Sequence, residues 1–258
     1  MHKPSVTGSA ADAGRVAIVE FSRGPGNYLS GSLLGEIADR LDALAADGRT
    51  RAVVLCSTGR HFCAGAALAA SDEMKDPVRG AADIYAAGAR LIEQPLPVVA
   101  AVQGAAVGGG LGLALAFDYR VATPATRFAA NFARIGLHQG FGLTLTLPDV
   151  VGPRVARDLL YSGRSVRGEE AHLIGLCDRL VSEDELRDEA VRLAGSLAQG
   201  APLAVRAIRA TMRRALVGSF RRVTAHELAE QSALFATADF AEGVRATAER
   251  REPRFAGR

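Results

Sequence analysis

Residues 104–118 read GAAVGGGLGLALAFD, with Gly108, Gly109 and Gly110 in a row where an apolar segment begins and no acid before Asp118. Glycine at the start of a helix suits a backbone N–H that must come close to a ligand, because a Cβ would block the approach. Close packing of a helix on a sheet is the plainer use of the same run. What lies on either side of it decides between the two.

Before the run, LPVVAAVQG (96–104) is a continuous apolar strand of the kind buried in parallel sheets, and DYRVAT (118–123) reads as another strand. Earlier still, RVAIVEFS (15–22) alternates as a strand, GPGN (24–27) turns, LLGEIADRLDALAAD (33–47) has helical spacing, and RAVVLCST (51–58) is a second buried strand. A helix is expected near 81–93. RFAANFARIG (127–136) continues as a short strand and loop, with helical stretches from about 142 and at 153–162. In DRLVSEDEL (178–186), Ser182 and Glu185 have the spacing of a capping box before a helix. Beyond Pro202 the pattern is almost wholly helical to about Arg251. The expectation is an α/β protein with a flexible N-terminal tail at 1–14, a core at 15–200 and a helical C-terminal region at 201–258.

The chain has 258 residues and is 48% hydrophobic, enough for a substantial core. No segment gives the run of about 20 apolar residues that spans a bilayer, and the polar start is not a secretory signal, so a soluble cytoplasmic protein is expected. Cys56, Cys63 and Cys177 cannot all pair and form no C-x-x-C, which argues against a disulfide framework and a structural zinc site. The formal charge is +3, and lysine occurs only at Lys3 and Lys75. Arginines recur at 206–222 and 245–258; a solvated helical face is the expected role for most of them, with phosphate or RNA binding as a further reading.

A second glycine-containing loop, HFCAGAALAA (61–70), also follows a buried strand and leads into an alanine-rich stretch expected to be a helix. Two such turns can each aim an N–H at one point, and two donors suffice to hold a thioester oxygen as it gains enolate charge. GGGLGLAL is not G-x-G-x-x-G, and the chain has neither a G-K-[ST] P-loop nor a G-x-S-x-G elbow.

The two loops in this order resemble the crotonase (enoyl-CoA hydratase/isomerase) superfamily, and the resemblance extends over almost the whole chain. It rests on AVVLCSTGRHFCAGAAL (52–68), PLPVVAAVQGAAVGGGLGLALAFDYRVA (95–122), GLHQGFG (136–142) with LPDVVG (147–152), and ADFAEGVRATAERREPRFAGR (238–258). It implies a spiral of ββα turns, C-terminal helices that mediate trimers or hexamers, and acyl-CoA substrates. It also implies no metal or redox cofactor, coenzyme A entering as part of the substrate. Ala66 and Gly109 match the family's oxyanion-hole donors. Arg23 to Asn27 and the loop Ala64, Gly65, Ala66 to Leu68, with Gly108 and Gly109, match its substrate- and CoA-binding positions. The aspartate common after the first donor is Ala67 here.

The acid positions differ. Where the family's hydratases carry two glutamates, this chain has Gly112 and Phe132, and where some relatives place another carboxylate it has Gly140. Hydration of a C=C bond needs a base and an acid, worth roughly 10²- to 10⁴-fold each, and glycine and phenylalanine supply neither. His138, on the loop that carries catalytic groups in the family, is the candidate replacement, because imidazole titrates near neutrality; a packed histidine is the other reading. Gln139 can orient water but not exchange protons. Asp72, Glu73 and Tyr85 lie on a segment that in the family often covers the acyl pocket, with an exposed helical face as the favoured reading, and Cys63 is expected as a small apolar residue at a strand end. The expected function is an acyl-CoA thioester enzyme of the enoyl-CoA hydratase/isomerase type with glutamate-dependent hydration in doubt; the alternative is a catalytically degenerate acyl-CoA-binding or scaffold protein.

Overall fold

The structure is a computed structural model that describes residues 3–67 and 75–258. A six-stranded sheet forms its centre: β1 (Ser5–Ala11), β2 (Val16–Ser22), β3 (Ala52–Ser57), β4 (Val98–Val102), β6 (Tyr119–Ala122) and β9 (Arg179–Leu180) lie side by side in that order. Only the β1–β2 pair is antiparallel; the others run parallel. A smaller sheet holds β5 (Ala105–Val107), β7 (Arg127–Ala129) and β8 (Ser165–Arg167). Successive turns of chain feed first the large sheet and then the small one. β4 leads to β5, β6 leads to β7, and after β3 Cys63 bridges to Ala106 beside β5. That is a spiral of ββα turns.

Parallel strands covered on both faces need apolar residues at every position, which is why 52–56 and 96–102 read as unbroken runs. Alternate residues serve different cores. Val53 and Leu55 pack with α1 (Gly31–Ala46) and α2 (Pro77–Glu93), whereas Val54 and Cys56 face α6 (Leu186–Leu197). Helix α1 starts where Ser30 Oγ accepts the Leu33 N–H at 3.0 Å, and it buries Leu33, Leu34, Ile37 and Leu41 on one stripe. The short helix α3 (Gly109–Leu115) is buried almost throughout. Helix α4 (Leu143–Ser162) bends at Gly152, whose φ of 75° precedes Pro153. The chain continues through α5 (Gly168–Leu173), α6, α7 (Pro202–Met212), α8 (Arg214–Leu234) and α9 (Ala238–Glu249). Among the described residues no helix is long and apolar enough to cross a membrane.

Two expectations are corrected. Residues 5–11 are not a frayed tail: they pair with β2 along their full length, from Ser5 opposite Ser22 to Ala11 opposite Val16. Their polar, small-residue composition belongs to an exposed edge strand, which needs no buried side chains. Ser182 does not cap α6 either; its hydroxyl meets Glu185 at 2.6 Å inside a turn, and the helix begins at Leu186. The alanine-rich helix expected after the first donor loop falls at 68–74, outside the described residues.

Candidate active site

The first donor loop is stitched down on both sides. Cys63 N–H donates to Ala105 O at 2.9 Å and its carbonyl accepts the Val107 N–H at 3.0 Å, while Ala64 N–H reaches Gly26 O at 2.8 Å and Gly65 O accepts the Leu29 N–H at 2.9 Å. Gly65 has φ 90°, and a Cβ there would stand 2.8 Å from Val107 O, so glycine is required. These bonds leave the Ala66 N–H without an acceptor among the described residues.

The second loop is set against the first. Gly108 takes φ 55°, ψ −120° and donates its N–H to Ala129 O at 2.8 Å; the Gly109 N–H, next in line, meets no acceptor among the described residues. Gly110 packs so closely on the Cys63 carbonyl that a Cβ would overlap it. Ala66 and Gly109 therefore line one cavity of about 520 Å³, whose other walls are largely apolar. Tyr28, Tyr85, Arg127, Asn131, Gln231 and Thr247 supply its polar side chains, and among the described residues no Asp, Glu, His, Cys or Lys lines it.

The three positions without acids are not open space. A Cβ on Gly112 would lie 2.7 Å from Phe141 Cδ1, so that ring occupies the volume a longer side chain would take. Phe141 reaches it with φ 59°, an uncommon conformation for a bulky residue, and its other edge packs on Gly88. Phe132 is itself part of the cavity wall. At Gly140 a Cβ would collide with Tyr85 Oη. Tyr85, expected on an exposed face, is thus buried; its ring meets Phe141 edge-on at 6.5 Å, and its hydroxyl donates to Gln231 Oε1 at 2.7 Å. Burial, with Glu227 nearby, pushes the phenol above its usual range.

Other candidates fall elsewhere. His138 does not line the cavity; its ring faces His226 edge-on at 5.9 Å and Nδ1 lies 2.7 Å from Gln139 O. Its loop is turned by Glu227, whose carboxylate accepts the N–H groups of Gly142 and Thr144 at 2.8 and 3.1 Å and the Thr144 hydroxyl at 2.6 Å. These bonds hold the backbone of 142–144 against α8, and the His138 ring lies outside the cavity lining. Arg23 and Asn27 also turn inward. The Arg23 guanidinium donates to the carbonyls of Tyr28 and Leu29, and Asn27 Nδ2 to those of Thr58 and His61, so both brace the turn below Tyr28 rather than line the cavity. Leu68, Asp72 and Glu73 lie outside the described residues. Full burial pushes the Cys63 thiol up to about 12, which keeps it protonated and inert as a nucleophile. Asp118 anchors Arg209 and Arg213, a structural pairing.

Asn131 and Gln231 carried no signal in the sequence. Gln231 sits on α8, far along the chain, in a helix with as many polar as apolar residues, and only the return of α8 over the cavity brings it to Tyr85.

Comparison with known proteins gives one answer. The family model described as enoyl-CoA hydratase/isomerase matches residues 12–258. The enoyl-CoA isomerase/hydratase of Zymoseptoria tritici is 34% identical over 96% of this chain and 86% of that protein. The crotonyl-CoA hydratase of Syntrophomonas wolfei is 34% identical over 89% of each. An enoyl-CoA hydratase/isomerase structure from Pseudoalteromonas atlantica superposes with a TM-score of 0.86 at 30% identity, covering 98% of this chain and 100% of the other.

Proposed function

Since the chain belongs to the enoyl-CoA hydratase/isomerase family, we propose that it binds an acyl-CoA in the cavity beside Gly109 and stabilises an enolate of the thioester there. The observation that carries this reading is the pair of N–H groups, of Ala66 and Gly109, that meet no acceptor among the described residues and lie on one mostly apolar cavity. Each donor would bond the thioester oxygen more strongly as it gains charge, and removing one such donor typically costs about 3 kcal/mol of barrier. Coenzyme A enters as part of the substrate, and the reading calls for no other cofactor.

The two-glutamate hydration of the family does not suit this site. Gly112, Phe132 and Gly140 offer no carboxylate, and Tyr85, Asn131 and Gln231 hydrogen-bond without exchanging protons near neutrality. We therefore assign isomerase- or lyase-type enolate chemistry, with crotonyl-CoA hydration slowed by roughly 10²- to 10⁴-fold for each missing acid or base. Turnover of crotonyl-CoA and of longer 2- and 3-enoyl-CoAs, with exchange of butyryl-CoA α-protons in D₂O, tests it. Exchange or double-bond migration supports the reading. Binding without either returns the protein to a non-catalytic acyl-CoA binder, and absence of binding overturns both.

On the same reading the chain acts as a homo-oligomer, a trimer or hexamer, through its C-terminal helices. The C-terminal arginines support nucleic-acid binding poorly, since Arg209, Arg213, Arg221, Arg245 and Arg251 are each paired with an acid.

A further inference from the structure

Asn131 opens the short 3-10 turn that follows β7, Asn131–Ile135. Its backbone rests on Gly163, where a Cβ would stand 3.4 Å from Asn131 Cα. Two residues earlier, Ala129 O accepts the Gly108 N–H at 2.8 Å, so the segment that carries Asn131 is tied to the second donor loop itself. The side chain is not tied: its amide meets no hydrogen-bond partner among the described residues, although it lines the same cavity as Ala66 and Gly109.

Gly108 brings that amide close to the proposed reaction centre. A Cβ on Gly108 would lie 3.4 Å from Asn131 Oδ1 and 3.7 Å from Phe132 Cζ, and the glycine leaves that gap unfilled. Chain geometry then puts the amide end at most about 7 Å from the Gly109 nitrogen, a limit reached only if every intervening bond were collinear. One oxygen that accepts from two N–H groups at about 2.9 Å each joins donors up to about 5.8 Å apart. A turn about χ1 of Asn131 covers what difference remains.

The amide is also able to turn. Its oxygen is the end nearest Gly108, and a half-turn about the Cβ–Cγ bond exchanges oxygen for NH₂ at the same place, with no partner to oppose it. Asn131 lines a second cavity too, of about 280 Å³, with Arg127, Arg134, Arg164 and Arg251 and, among the described residues, no acid. N–H donors abound on that side, so it suits the oxygen. The acyl side is left with the NH₂ group.

We propose that Asn131 is a catalytic residue that donates its side-chain N–H to the thioester oxygen beside Gly109, as a third donor whose bond strengthens while that oxygen gains enolate charge. This rests on the reading of the cavity as an acyl-CoA site. Without a lining acid to protonate the enolate, the site depends the more on donors that hold it as an anion, and a neutral amide does so without giving up a proton.

The test is infrared difference spectroscopy of butyryl-CoA, ¹³C-labelled at the thioester carbonyl and bound to the wild type, Asn131→Asp and Asn131→Leu, with affinities from calorimetry. Each N–H bonded to the oxygen lowers the carbonyl stretching frequency relative to a thioester in an apolar solvent. Both variants match asparagine closely in size, and neither leucine nor an ionised aspartate has an N–H to give. Each is expected to lose about a third of the lowering, one donor in three, while binding butyryl-CoA within about 3-fold of the wild type. A purely structural Asn131 would change affinity and leave the frequency of the bound ligand where it was. A frequency in both variants equal to that of the wild type, or loss of binding in both, overturns the proposal and leaves the acyl-CoA reading standing. Failure of the wild type to bind overturns that reading, and this proposal with it.

Discussion

The glycines at 108–110 do three different jobs. Gly108 supplies a left-handed backbone, Gly110 gives up its Cβ so that α3 can rest on the Cys63 carbonyl, and Gly109 sits between them in the cavity wall. A Cβ on Gly109 would meet only the tip of Leu29, at 2.5 Å, which a rotamer change can relieve. The expected outcome is a split: Gly110→Ala lowers the unfolding temperature sharply, whereas Gly109→Ala keeps most stability and loses acyl-CoA turnover. Gly112 gives a second contrast. Introducing Gly112→Glu alone drives the side chain into Phe141 and is expected to cost about 1–3 kcal/mol of stability by denaturant unfolding, part of which Phe141→Ala restores. The glycine turn at 108–110 was legible in the sequence because it falls between a buried strand and an apolar helical segment. The aromatic fill was not, since a glycine shows that a side chain is missing but not which distant ring takes the space.

Among elements, the long buried strands and amphipathic helices were legible because each carries its own period. Strands β5 and β8 are three residues long and hold no period, and β1 shows no apolar face because its outer side is solvent. The site suffers the same limit: Gln231 reaches it only through the packing of α8 on α2. Glu227, on the same helix, carries a prediction at this scale. Burial raises its pKa, so the folded state binds the proton more tightly than the unfolded chain does. Its contribution therefore weakens as pH rises from the ordinary carboxylate range through the raised value. Relative to Glu227→Gln, which does not titrate, the wild type loses stability across that window. The amide also turns a donor toward Gly142 and Thr144, and is expected to cost about 1–3 kcal/mol near neutrality, read as a shift in unfolding temperature.

At the scale of the molecule, α7 presents Leu203, Ile208 and Met212 at 80%, 63% and 79% exposure, more apolar surface than a solvated helix needs. The proposed trimer or hexamer would bury it. Sedimentation is expected to show an oligomer, and Ile208→Glu with Met212→Glu to shift it toward monomer without disturbing the α/β core. A wild type that sediments as a monomer would remove the assignment. The cavity itself is closed late in the chain: Gln231 and Phe235 come from α8 and its end, and Val244, Thr247 and Ala248 from α9. During synthesis the loops of Ala66 and Gly109 emerge and can settle on their strands long before that wall exists. A nascent or prematurely terminated chain then has the loops of Ala66 and Gly109 without that wall, so the cavity takes its closed form only once the chain has reached Ala248.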